Sequence, residues 1–251
     1  MISLFRKRKE RVAPLEELEP LQVDMHSHVL PGLDDGSQSI EESLELLGEL
    51  TKMGYKKLVM TPHIMGDFYR NTLEGIQEKL DFLRQEATKV GFTIDLEMAA
   101  EYYLDESFMA RLKSGEDLLC FGDKRYVLFE TSYMNSFPQL QTVIFELQAS
   151  GYTPVLAHPE RYVYWFERPK EILELLERGV LLQININSLT GYYSRPSKKI
   201  AEMLINEKAI RFLGTDCHGI KHINALKKAR SLEYYRKALS LDLLNNSLVS
   251  A

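Results

Sequence analysis

The chain has 251 residues, 45% of them hydrophobic and 27% charged, with a formal net charge of −5. That is ordinary globular composition, with room for one barrel-sized domain or two smaller ones, and the negative balance argues against nonspecific nucleic-acid binding. Two cysteines, Cys120 and Cys217, exclude a disulfide framework and favour a reducing compartment.

The basic cluster Arg6-Lys7-Arg8-Lys9 is followed by no apolar run of signal-peptide or membrane-span length. A cytoplasmic protein without a transmembrane segment is therefore expected. The cluster itself suits a frayed tail, or peripheral contact with an anionic inner membrane face. Residues 1–20 read as a flexible basic extension and residues 21–251 as one domain.

From Leu21 onward strand-like runs alternate with helical patterns. Strands are expected at Leu21 to His26, Lys57 to Thr61, Thr93 to Ala99, Tyr126 to Glu130, Thr153 to Ala157, Val180 to Ile186 and Ile210 to Gly214. The first helix, Ser39 to Met53, has Ser39 as its N-cap, Glu42 three places on, apolar Leu44, Leu47 and Leu50, and Gly54 as its stop. Further helices are expected at Leu73 to Val90, Glu106 to Lys113, Gln139 to Ser150, Pro169 to Arg178, Ser197 to Asn206 and His222 to Leu239. Seven strand-then-helix units imply parallel strands with right-handed crossovers, in an open sheet or a closed barrel.

Chemistry-bearing residues gather at the strand ends. The first strand ends in His26 and His28, the second in Pro62-His63, the third near Glu101, the fourth in Glu130, the fifth in His158-Pro159-Glu160-Arg161 and the seventh in Asp216-Cys217-His218. Five of the six histidines lie there; His222 does not. Singly, each has an ordinary reading: His63 as a loop cap, Glu101 as a surface carboxylate. Together, on six strand ends, they point to a metal cluster at the C-terminal face of a barrel. Imidazole with carboxylate and no thiolate suits manganese, zinc or iron rather than a structural zinc site. So many ligands can hold two or three ions, with a water between them acidified to hydroxide for attack on a phosphoryl group. Arg161, three residues after His158, either clamps phosphate oxygens at the same mouth or pairs with Glu160 on the surface. Tyr162, Tyr164, Trp165 and Phe166, with Phe68 and Tyr69 across the mouth, either rim an aromatic-substrate site or pack the start of a helix.

The blocks Asp24-Met25-His26-Ser27-His28, Pro31-Gly32-Leu33-Asp34-Asp35-Gly36, Thr61-Pro62-His63, Ala100-Glu101-Tyr102, His158-Pro159-Glu160-Arg161-Tyr162 and Thr215-Asp216-Cys217-His218 resemble the polymerase and histidinol phosphatase (PHP) superfamily. Within it they are most similar to the bacterial metal-dependent protein-tyrosine phosphatases of capsular and exopolysaccharide clusters. The resemblance runs from about Leu21 to Leu239. It implies an α/β fold, a distorted TIM-like (β/α)7 barrel, with up to three ions, commonly Mn2+. By motif position His26, His28, Glu101 and Asp216 would share one ion, Glu101, Glu130 and His158 a second, and His63, His218 and Asp35 a third, with Asp34 in reserve. Arg161 matches the family's phosphate-holding arginine, and Asp24 would orient a ligand histidine. Members often carry a further arginine after the last Asp-x-His, where this chain has Lys221 and His222; Lys221 would supply charge without the fork.

The implied reaction is hydrolysis of phosphotyrosine monoesters by a metal-bound hydroxide, with Asp34 or Asp35 as proton source and the tail of a bacterial tyrosine autokinase as substrate. A cysteine phosphatase is disfavoured, because the position six after Cys120 is Tyr126 and six after Cys217 is Ile223, not arginine. Small-molecule phosphates (sugar, histidinol or nucleotide) are the alternative substrates. An amidohydrolase would want a lysine where Glu130 stands. A non-catalytic binding module would have little reason to keep every ligand type.

Overall fold

Apolar period-2 runs joined by capped helices give the observed order of elements. The computed structural model describes residues 14–249; the cluster Arg6-Lys7-Arg8-Lys9 and most of the expected extension lie outside the described residues. The order is β1 (Val23–Ser27), α1 (Ile40–Lys52), β2 (Lys57–Met60), β3 (His63–Ile64), α2 (Leu73–Lys89), β4 (Asp95–Met98), β5 (Glu101–Tyr103), α3 (Glu106–Ser114), β6 (Tyr126–Glu130), α4 (Leu140–Ala149), β7 (Thr153–Leu156), α5 (Glu174–Glu177), β8 (Leu181–Asn185), α6 (Arg195–Asn206), β9 (Phe212–Gly214), α7 (Ile220–Ala229) and α8 (Glu233–Leu239).

Side-chain caps, Ser39 expected among them, explain where several helices begin. Ser39 accepts from the Glu42 backbone N–H and the Glu42 carboxylate reaches back to the Gln38 N–H. Thr72 caps α2 and Asp105 caps α3 in the same way. Helix α6 starts two residues earlier than the apolar pattern suggests, because Ser194 caps it and Pro196 fits the first turn.

All named strand pairs are parallel. The ladder divides into a three-stranded sheet, β1-β2-β4, and a six-stranded one, β3-β5-β6-β7-β8-β9. The expected second strand ends at Met60 and a separate β3 follows Pro62, which has no N–H to give the ladder; the third, expected over Thr93 to Ala99, is Asp95–Met98, with a separate β5 after Ala100. Together the strands form an α/β half-barrel. Between β9 and β1 the contact is a seam: the Asp216 N–H bonds His26 O and the His28 N–H bonds Cys217 O. Deeper in, buried Asn245 spans the gap, donating to Val23 O and Leu213 O and accepting from the Leu213 N–H.

Two cores follow from the alternation. Leu46, Leu47 and Leu50 of α1, Ile76, Leu80 and Leu83 of α2 and Leu204 of α6 press against the outer face of the sheets. Val59, Ala99, Leu128, Val155 and Phe212 form the inner cluster. Val59, Ala99 and Leu128 stand an even number of residues before His63, Glu101 and Glu130, so the strand faces that fill the inner core carry the site side chains at their C-terminal ends.

Three expectations are corrected. The last helix is two, α7 and α8, since Leu232 is extended (φ −80°, ψ 149°) and caps the second. The Pro169 to Arg178 helix is a 3-10 segment, Pro169–Leu173, running into one turn of α-helix. The stretch after His158 is two 3-10 turns, Pro159–Arg161 and Val163–Trp165.

Candidate metal centre

Parallel register sets the site. His63 on β3 lies directly beside Glu101 on β5, and Tyr103 on β5 beside Glu130 on β6. Glu101, fully buried, is the hub. Its Oε1 is 3.0 Å from His158 Nε2, and its Oε2 is 3.2 Å from His26 Nε2, 3.4 Å from His28 Nε2 and 3.1 Å from His63 Nδ1. Asp216 Oδ1 is 3.5 Å from both His26 Nε2 and His28 Nε2 and 3.3 Å from His218 Nδ1. Glu130 Oε1 is 3.3 Å from His63 Nδ1, and its Oε2 is 3.7 Å from His158 Nε2. Asp35 Oδ1 faces His63 Nε2 at 3.5 Å and His218 Nε2 at 3.3 Å.

Nine side chains proposed from sequence as ligands (His26, His28, Asp35, His63, Glu101, Glu130, His158, Asp216 and His218) thus converge in one place. The donors fall into overlapping groups: His28, Asp35, His63 and His218; His26, His28 and Glu101; His26, His158 and Asp216; His63, Glu101 and Glu130.

Two observations fit divalent cations. Donors bonded to one ion at about 2.1 Å stand roughly 3.0–3.4 Å apart, close to the observed spacings. Glu101 Oε2, Glu130 Oε2 and His63 Nδ1 are buried with no hydrogen-bond partner among the described residues, a costly arrangement unless a cation satisfies such atoms. Backbone strain marks the same place: His158 (φ 32°) and Asp216 (φ 50°) are two of four described non-glycine residues with positive φ.

The charge balance is tight. Burial favours the neutral forms of His26, His63 and His218, but Glu101 and Asp216 more than offset it for His26, Glu101 for His63, and Asp216 with Asp35 for His218, leaving them at about 9, 10 and 9. Burial and the charge of Glu101 push Glu130 up to about 8. Burial and Arg161 lower His158 to about 4. In protein stripped by a chelator, the raised histidines stabilise the fold fully below their unfolded value of about 6.5 and lose that contribution as pH climbs through about 9. A cation must displace their protons, so its stabilisation runs the other way. The rise in melting temperature on adding Mn2+ is therefore expected to be larger at pH 8.5 than at pH 6.5, measured by thermal unfolding; an equal or reversed rise would contradict this charge assignment.

Asp34 and Asp35 do different things. Asp34 Oδ2 binds His28 Nδ1 at 2.8 Å and accepts the His63 N–H, while its Oδ1 accepts the Gly36 N–H. It orients a ligand, the role expected of Asp24. Asp24 touches a histidine too, accepting the His26 N–H at 3.4 Å, and it bonds the Thr215 N–H and hydroxyl across the seam. Burial works against ionised Asp34, yet His28 and His63 hold its carboxyl well below the usual range, and the hydrogen bond from His218 lowers Asp35. A Cβ at Gly36 would lie 2.1 Å from His28 O and 2.9 Å from Asp34 Oδ1. Gly36→Ala is therefore expected to destabilise the protein by about 2 kcal/mol or more and to weaken Mn2+ uptake, checked by denaturant unfolding and calorimetric titration.

A cavity of about 580 Å³ opens over the cluster, lined by Tyr69, Tyr103, Tyr133, Arg161, Tyr193 and His222 among others. Arg161 lies between two rings, 4.7 Å from Tyr133 and 4.1 Å from Tyr193, and its Nη1 bonds Asp216 Oδ2 at 2.7 Å. Tyr69 stacks on His63.

The rim differs from expectation at three residues. Tyr162 is 0% exposed, a core residue whose hydroxyl accepts the Thr131 N–H and donates to Ala157 O. Phe68 is 77% exposed and does not line the cavity. Lys221 is exposed on the first turn of α7, and His222, one residue on, lines the cavity instead. Tyr193 lies in an irregular segment with no strand end beside it, and Tyr133, three residues past the end of β6, has no metal-ligating group to mark it in the sequence.

The family model for capsular polysaccharide synthesis proteins, CpsB/CapC, matches residues 22–245. The chain belongs to this family. CapC of Staphylococcus aureus is 30% identical over 232 residues, 90% of each chain. Tyrosine-protein phosphatase CpsB of Streptococcus pneumoniae is 30% identical over 203 residues, 79% of this chain and 83% of that one. A crystal structure from work on YwqE of Bacillus subtilis and CpsB of Streptococcus pneumoniae, described as unique metal-dependent tyrosine phosphatases, aligns with a TM-score of 0.79 at 25% identity, over 90% of this chain and 94% of that one. Among the described residues of this CpsB/CapC member, no helix is long and apolar enough to cross a membrane.

Proposed function

We propose that this CpsB/CapC protein is a metal-dependent phosphotyrosine-protein phosphatase. The observation that carries the reading is the set of buried carboxylate and imidazole atoms that lie within 3.7 Å of one another, Glu101 Oε2, Glu130 Oε2 and His63 Nδ1 among them without hydrogen-bond partners, beneath a tyrosine-walled cavity holding Arg161. Similarity to proteins described as tyrosine phosphatases supports the substrate class.

The ligands assigned are His26, His28, Glu101 and Asp216 to one ion, Glu101, Glu130 and His158 to a second, and Asp35, His63 and His218 to a third. Their imidazole and carboxylate donors suit Mn2+, with Fe or Zn as substitutes. When bound, such ions acidify a water near neutral pH and neutralise charge on the phosphoryl oxygens during in-line displacement. Arg161, pre-aimed by Tyr133, Tyr193 and Asp216, presents its remaining donors to the phosphate. The walls of Tyr69, Tyr103, Tyr133 and Tyr193 suit a phenyl ring. A phenol leaves with a solution pKa of about 10, more easily than an alkoxide, so no strongly acidic donor is needed, and Asp34 or Asp35 is the proton source.

The reading extends to a distorted (β/α)7 barrel closed at the β9–β1 seam, to residues 21–251 as one phosphatase domain behind a basic extension, and to a cytoplasmic place with the extension at the inner membrane face. The family description, capsular polysaccharide synthesis, favours the tail of a tyrosine autokinase as partner. Chelated protein is expected to be inert and Mn2+ to restore hydrolysis of a phosphotyrosine peptide well above that of sugar, histidinol or nucleotide phosphates. Faster turnover of a small-molecule phosphate would replace this substrate class.

A further inference from the structure

Strand β8 is the one expected strand whose end carries no proposed ligand, yet two of its side chains, Gln183 and Asn185, are fully buried amides directed at the cluster. Gln183 Oε1 is 2.9 Å from His26 Nδ1 and accepts the His158 backbone N–H at 3.3 Å. A backbone N–H can only donate, so the oxygen of Gln183 must face this side and His26 must carry its proton on Nδ1. The Gln183 Nε2 is then turned toward Asn185 Oδ1, to which it donates at 2.8 Å. That fixes the second amide in turn, with Asn185 Nδ2 donating to Asp216 Oδ2 at 2.6 Å and lying 3.2 Å from Tyr193 Oη. The Asn185 backbone is held from the other side: its N–H bonds Glu160 Oε1, which also accepts the Ser188 hydroxyl at 2.7 Å. Opposite Gln183, Gly214 keeps the space clear, since a Cβ there would lie 2.7 Å from Gln183 Nε2 and 2.8 Å from His26 Cβ.

We infer that Gln183 and Asn185 form a one-way amide relay that fixes the tautomer of His26 and the rotamer of Asp216, and thereby sets the affinity for the ion these two would share. The inference rests on the metal-site reading above. With its proton on Nδ1, His26 offers the Nε2 lone pair toward His28, Glu101 and Asp216. With Oδ2 occupied by Asn185, Arg161 and Tyr193, Asp216 offers Oδ1 to the same point. The relay thus couples ligands from two strands and the phosphate-holding arginine through one strand that donates nothing itself. These two residues are positioning residues, and their removal should act on metal affinity before it acts on chemistry.

The test is calorimetric titration of chelated full-length protein with Mn2+, paired with activity on a phosphotyrosine peptide across Mn2+ concentrations. Gln183→Met, close in volume but with no donor or acceptor of comparable strength, is expected to weaken the tightest Mn2+ binding by about 10- to 100-fold and to regain most of kcat at saturating Mn2+ with KM little changed. Gln183→Glu keeps the acceptor for His26 and His158 while losing the donor to Asn185, and should recover part of that affinity; it also serves if the methionine variant does not fold. Asn185→Ala should give the smaller loss, because Arg161 and Tyr193 still hold Asp216. Wild-type affinity in both Gln183→Glu and Asn185→Ala, or a kcat loss that saturating Mn2+ leaves unchanged, would overturn the relay alone. A wild-type chain that takes up no Mn2+ would overturn the metal-site reading and the relay with it.

Discussion

Glu101→Gln is expected to reduce kcat/KM toward a phosphotyrosine peptide by roughly 10³-fold or more, since removing even one preorganised electrostatic group typically costs about 10²–10³ in rate. Glu101 faces four histidines from three strand ends within 3.4 Å. Burial disfavours its charge, yet His26 and His63 hold it well below the usual carboxylate range. The amide keeps the volume and one acceptor but cannot bridge two cations. The same variant should therefore bind at least one Mn2+ fewer by elemental analysis. Removing a buried charge that faces His26 and His63 also lowers the stability of the chelated protein at pH 6, where these two histidines are protonated. A variant with full activity and full metal content would show that Glu101 is a structural acid and that the hub lies elsewhere.

Arg161→Lys should cost on the order of 10²-fold in kcat/KM, with metal content unchanged. The guanidinium is tied to Asp216, flanked by two tyrosine rings and continuous with the cavity wall. Lysine keeps the charge but loses the planar fork, so it can satisfy either Asp216 or a phosphate oxygen, not both in one geometry. Phosphate and vanadate inhibition should weaken in parallel with turnover. A variant that loses turnover but keeps wild-type phosphate inhibition would remove Arg161 from the phosphate site.

The cluster was legible in the sequence for a physical reason. Ligand types are rare in apolar strands, and parallel strands bring their C-terminal ends to one rim, so His26, Glu101, Glu130, His158 and Asp216 stood out at regular places. The supporting shell was not. Gln183 and Asn185 sit in Leu181–Asn185, where an uncharged amide reads as a polar residue on an ordinary strand, and only the coordinates reveal which neighbour each amide faces. Aromatic residues misled in the opposite sense: Tyr162 follows Arg161 in sequence, but a 3-10 turn carries its ring into the core, while Tyr133 and Tyr193 reach the cavity from loops. The division of α7 from α8 rests on one extended residue, Leu232, which the apolar spacing spans without interruption. The short β3 beyond Pro62 was not legible: the expected second strand stopped at Thr61, and two residues, His63 and Ile64, are too few to show a period.

The central claim is that these side chains hold cations together. Anomalous diffraction at the manganese edge, from crystals of the full-length protein grown with Mn2+, tests it most directly. The account predicts two or three peaks within bonding distance of Glu101, Glu130, Asp216 and their histidines, with Glu101 shared between two. Peaks confined to other parts of the molecule, in protein that hydrolyses phosphotyrosine, would contradict it.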